Sequence, residues 1–144
     1  KPVQLSEYQG KNVILVFYLG RECIHCMDQL KKIQGKKDDW SRLDAAVLAV
    51  SPNPPADNAQ LIKGAGYSAI RFLSDSADRA NARRFRSYDD FEEMEVHSTI
   101  LIDKKGRVHW GTTGGAPFED MAFLVKQLER MNQSVTPPAS NPAE

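Results

Sequence analysis

No apolar run in this sequence exceeds the seven residues from Val13 to Leu19, far short of the roughly 20 needed to cross a bilayer as a helix. Membrane insertion by this segment is therefore not expected. An excess of one charge sign is also lacking, since 19 basic and 19 acidic residues balance to a formal net charge of zero. That removes the general attraction that gathers nucleic acid or an anionic surface, so neither is an expected partner. Cysteine is scarce, with two in 144 residues, too few for a disulfide scaffold. A single domain of this length buries about 68–70% of its unfolded surface and holds a core without such staples. The chain opens at Lys1-Pro2 with neither initiator methionine nor signal peptide, as expected of a segment cut from a longer precursor. A bacterial cytoplasmic and an extracytoplasmic setting are equally compatible with it.

What is present is an alternation of short apolar runs and helical patterns. Val13 to Leu19 reads as a strand buried on both faces, and Ala46 to Val50 as a second. Between them Cys26, Leu30 and Ile33 recur at helical spacing from about Cys23 to Gln34, with Gly35 as the stop. A helix is expected over Ala56–Lys63, a short strand over Ile70–Leu73 and a helix over about Ser76–Phe85. Thr99–Ile102 and Arg107–Trp110 flank the turn Asp103-Lys104-Lys105-Gly106 and predict an antiparallel hairpin. A last helix is expected from near Pro117, with Met121, Leu124, Val125, Leu128 and Met131 on one face. Early alternation implies parallel strands with crossover helices, and the late hairpin adds antiparallel ones. The expected fold is α/β, a central mixed sheet with helices on both faces. The expected domain spans residues 1–131, followed by a Pro-rich disordered tail or linker over 132–144.

The two cysteines are Cys23 and Cys26, separated by Ile24-His25 at the point where a buried strand gives way to a helix. A first helical turn offers unpaired N–H groups and a partial positive charge, both of which favour thiolate over thiol. At pH 7 a cysteine of pKa about 8.5 is only about 3% thiolate, whereas one shifted to about 6.5 is roughly 75%. The spacing predicts Cys23 as the exposed attacking sulfur and Cys26, one turn in on the apolar face, as the resolving one. His25 between them, when protonated, stabilises the Cys23 thiolate and so the reduced form. The reduction potential is then expected nearer protein disulfide isomerase (about −180 mV) than thioredoxin (about −270 mV). Structural zinc would need a second ligand pair, and His97 and His109 stand too far apart in sequence to supply one. Covalent haem needs histidine directly after the second cysteine, where Met27 stands. Neither a resident metal nor another cofactor is expected.

The stretch Phe17-Tyr18-Leu19-Gly20-Arg21-Glu22-Cys23-Ile24-His25-Cys26-Met27-Asp28-Gln29-Leu30 resembles the active-site segment of thioredoxin-fold redoxins, particularly peroxiredoxin-like members of the alkyl hydroperoxide reductase/thiol-specific antioxidant (AhpC/TSA) family. The likeness extends to Val47–Ser51, Phe72–Asp75 and Thr99–Val108. It implies a thioredoxin-like fold and a thiol oxidoreductase acting on a peroxide or a protein disulfide. An external thiol reductant, thioredoxin-like or membrane-borne, would restore the dithiol. It also places Arg21, Glu22, His97, Ser98 and Thr99 around the sulfurs as a substrate pocket. The departures are specific: His97 stands where peroxiredoxins carry a peroxide-polarising arginine, Gly20 replaces a threonine, Glu22 a tryptophan and Ile24 a proline. Ser98 occupies the site of the thioredoxin cis-proline and predicts a trans peptide. The alternative function is a Cu(I)-binding metallochaperone using Cys23, Cys26 and one histidine, or a redox-sensor module on the same fold. The basic-then-acidic run from Arg83 to Glu95 reads as a solvated face or a lid-like loop.

Overall fold

The computed structural model describes residues 2–64, 66–75 and 79–134. Its strands are β1 (Asn12–Phe17), β2 (Ala45–Ser51), β3 (Ile70–Ser74), β4 (Tyr88–Asp89), β5 (Met94–Glu95), β6 (His97–Ile102) and β7 (Val108–Gly114). Five of them form one sheet in the order β3-β2-β1-β6-β7, while β4 and β5 pair separately. β1, β2 and β3 run parallel, whereas β6 is antiparallel to both β1 and β7. The expected α/β class with a mixed sheet is thus observed.

The pleat of β1 sends alternate side chains to opposite faces. Ile14 and Val16 join a core with Leu30 and Ile33 of helix α1 (Ile24–Gly35), Trp40 of α2 (Lys37–Arg42), and Leu124 and Leu128 of α5 (Met121–Ser134). Val13, Leu15 and Phe17 join the opposite core with Ala82 of α4 (Ala80–Arg84). There α3 (Pro55–Gly64) borders a cavity of about 850 Å³ lined by Leu15, Phe17, Leu48 and Phe85. Each fully buried leucine or isoleucine contributes roughly 1.5–3 kcal/mol, so both layers hold the sheet.

Several elements differ from the sequence expectation, each for a local reason. α2 has no apolar periodicity; it is anchored by buried Trp40, whose indole N–H donates to the Ile33 carbonyl at 2.7 Å. β6 begins at His97 rather than Thr99, and β7 runs past Trp110 to Gly114, because the antiparallel ladder continues to the pair His97–Gly114. α5 starts at Met121, not Pro117, since the Asp120 carboxylate accepts the Phe123 N–H at 3.0 Å and caps the helix there. The helix continues beyond Met131, and the Asn132 side chain bonds the Asn12 amide (2.8 Å) and the Leu43 carbonyl (3.0 Å). The expected tail beyond residue 134 and the start of the helix expected over about Ser76–Phe85 lie outside the described residues. Among the described residues no helix is long and apolar enough to cross a membrane.

Candidate active site

The chain leaves β1 beside the paired end of β2 and turns through Gly20, whose φ of +140° suits glycine. A Cβ there would meet Asn53 Oδ1 at 3.0 Å, so the site typical of threonine in peroxiredoxin-like proteins is filled from the β2–α3 loop instead. Cys23 follows as the N-cap of α1: its Sγ accepts the Cys26 N–H at 3.2 Å. Cys26 lies one turn inside and is 0% exposed, whereas Cys23 is half-buried. The two are joined as a disulfide with Cα atoms 5.2 Å apart. The sulfurs therefore differ in solvent access and in the groups that surround them.

The amino end of β6 meets this turn because β6 runs antiparallel to β1. Its pleat puts His97, Thr99 and Leu101 on the α1 face and Ser98 on the other. His97 is buried, and its Nε2 lies 3.1 Å from Cys26 Sγ but 3.9 Å from Cys23 Sγ. Burial holds its pKa below the ordinary 6.5, with His25 acting in the same direction and the Gly115 and Gly114 backbone opposing. The ring is therefore neutral at neutral pH.

The other expected pocket residues are more widely dispersed. Thr99 is buried on the α1 face and accepts a hydrogen bond from Gln29 Nε2 at 3.2 Å. Ser98 faces the opposite core, where its hydroxyl bonds Ser87 at 2.6 Å and Thr113 at 2.9 Å. The peptide before Thr99 is trans, as expected without proline. Arg21 turns toward α3, donating to Gln60 at 3.0 Å with Asp57 3.7 Å away. Glu22 and His25 are exposed.

Gln29 was not singled out by the sequence reasoning. It is 1% exposed and donates to both Thr99 Oγ1 and the Phe118 carbonyl, fixing the sulfur-bearing helix against β6. The signal was a glutamine beside Leu30, one turn on from Cys26, on a helix face that is otherwise apolar.

A cysteine pair at a helix start, half-buried outside and sealed inside, with an imidazole against its inner sulfur, is a redox geometry. Residues 1–110 match the AhpC/TSA family. The chain belongs to that family. It is a thiol-dependent oxidoreductase on a thioredoxin-like fold. The chain is similar to peroxiredoxin Bcp of Bacillus subtilis, 26% identical over 110 residues, covering 74% of this chain and 70% of the relative. It is also similar to chloroplastic peroxiredoxin Q of Triticum aestivum, at 26% identity over 76% of this chain, which spans half of the wheat protein. Among solved structures, Plasmodium yoelii thioredoxin peroxidase I superposes with a TM-score of 0.81 at 19% identity, covering 98% of this chain and 84% of that one. Cys23, Cys26 and His97 offer three donor atoms within 4.8 Å of one another. The family does not favour the copper-carrier alternative.

Proposed function

We propose that this AhpC/TSA domain is a two-cysteine peroxidase in which Cys23 attacks and Cys26 resolves. The Cys23 thiolate attacks one oxygen of a peroxide, becoming a sulfenic acid and releasing the other oxygen as alcohol or water. Cys26 then displaces water from that sulfenic acid and closes the Cys23–Cys26 disulfide, and two equivalents of an external thiol reopen it. The observation that carries this reading is the asymmetry of the pair: the half-buried Cys23 sulfur takes a helix-start N–H, and the Cys26 sulfur is sealed. The peroxiredoxin relatives support peroxide as the substrate class.

Thiol–disulfide exchange with a protein is the second reading. It is favoured by Ile24, 74% exposed beside Cys23, which offers an apolar contact to a polypeptide. The reduced protein is to be mixed with hydrogen peroxide and, separately, with a protein disulfide, following the mass at Cys23. Cys26→Ser should hold Cys23 as a sulfenic acid with peroxide, and Cys23→Ser should abolish turnover. Equal activity in the two variants would defeat the assignment, and oxidation by the protein disulfide alone would select the second reading.

A further inference from the structure

The two sulfurs are served unequally: His97 Nε2 lies 3.1 Å from Cys26 Sγ but 3.9 Å from Cys23 Sγ. Cys23 Sγ has a backbone N–H at 3.2 Å, a donor that stabilises a thiolate but cannot itself accept a proton. Cys26 is 0% exposed, so bulk water cannot take its proton, and an uncompensated buried thiolate is costly. The polar side-chain atom that reaches its sulfur is His97 Nε2, at 3.1 Å. From α1, His25 is the other titratable neighbour acting on the ring, and from β7 and the turn after it the Gly114 and Gly115 backbone acts on it.

We propose that His97 is the acid–base residue of Cys26, and thus of the resolving half of the cycle, not of the attack by Cys23. This rests on the roles assigned above to the two cysteines. In closure, Nε2 takes the Cys26 thiol proton as the sulfur attacks the Cys23 sulfenic acid. The S–O bond breaks, and the departing hydroxide leaves as water with that proton. Cys26 sulfur is oxidised and Cys23 sulfur reduced by the same electron pair. In reopening, an external thiol attacks Cys23 Sγ as its thiolate, the S–S bond breaks with Cys26 departing as thiolate, and the proton the external thiol released is taken up by Nε2 and passed to Cys26. The neutral state of the buried ring suits it to the first task at neutral pH.

The test compares wild type with His97→Gln in three measurements: the first step, the second step and disulfide reopening. The first step is peroxide oxidation of Cys23, read in a Cys26→Ser background. The second is disappearance of the sulfenic acid, read by dimedone capture and mass. His97→Gln is expected to leave the first within about threefold and to slow the second by about a hundredfold. The acid limb of the wild-type closure profile should vanish in the variant, which a merely structural role would not produce. Reopening by 2-mercaptoethanol should slow in parallel, and it does not depend on peroxide being the substrate. A Cys23 that peroxide never oxidises would overturn the peroxidase reading and leave the reopening arm to judge His97. Unchanged closure and reopening, or equal slowing of both oxidation steps, would overturn the proposal.

Discussion

At the scale of single residues, Gly20 and His25 show how position limits effect. Gly20 lies at φ +140° against Asn53, so the threonine usual in peroxiredoxin-like proteins cannot be restored there without strain. Gly20→Thr is expected to lower stability by about 1–3 kcal/mol in urea unfolding, and Asn53→Ala should recover only the steric part. His25 sits between the cysteines in sequence, yet it is exposed and screened. His25→Ala should therefore lower the reduction potential by about 20 mV or less, as read in a glutathione titration, since 30 mV corresponds to about 1.4 kcal/mol. A larger drop would restore His25 as the main lever on the pair. Both cysteines and their unequal burial were legible because an apolar strand, a glycine and a helical pattern follow one another locally. His97 was placed near the sulfurs only by the family resemblance, and its closer approach to Cys26 than to Cys23 was not legible, since it lies 71 residues away and its reach depends on strand pairing.

At the scale of elements, the site depends on how α1 is seated against β6. Gln29 ties the helix to Thr99 and to the Phe118 carbonyl, and Phe118 in turn packs with Trp110 and Phe123 at centroid distances of 5.0 and 5.8 Å. Gln29→Leu leaves a buried hydroxyl and carbonyl without their donor, at a cost of about 1–3 kcal/mol. Disulfide closure should slow along with the fall in the urea midpoint, because the Cys26–His97 approach loosens; a stable variant with normal closure would remove Gln29 from the positioning role. The elements that sequence patterning missed share one trait. α2 and the β4–β5 ribbon are rich in charge and short of apolar repeats, so tertiary anchors decide them, such as Trp40 on the Ile33 carbonyl and the Val96 carbonyl taking the Ser87 hydroxyl.

For the molecule as a whole, acid sensitivity combines three depressed pKa values, those of His97, Asp44 and Asp103. Burial lowers His97 below 6.5, and hydrogen bonds from Lys11 and Lys104 lower Asp44 below 3.8. In all three cases the unfolded chain binds more protons over the interval, so stability rises with pH there. The urea midpoint should fall as pH drops from about 6.5 through the folded His97 value, and again below about 4 as Asp44 and Asp103 protonate. His97→Gln should erase the first fall and keep the second. The fold class itself was legible from the alternation of runs, since crossover rules leave few ways to arrange them.

The antiparallel placement of β6 beside β1 also orders events in time. A chain made from its amino end exposes both thiols some 71 residues before the histidine against the inner one has been added. Until the later strand docks, Cys26 lacks its histidine, and alkylation of chains stalled before residue 97 should show no pH dependence from that ring. The resolving half of the cycle is therefore completed only when β6 docks and brings His97 to the Cys26 sulfur.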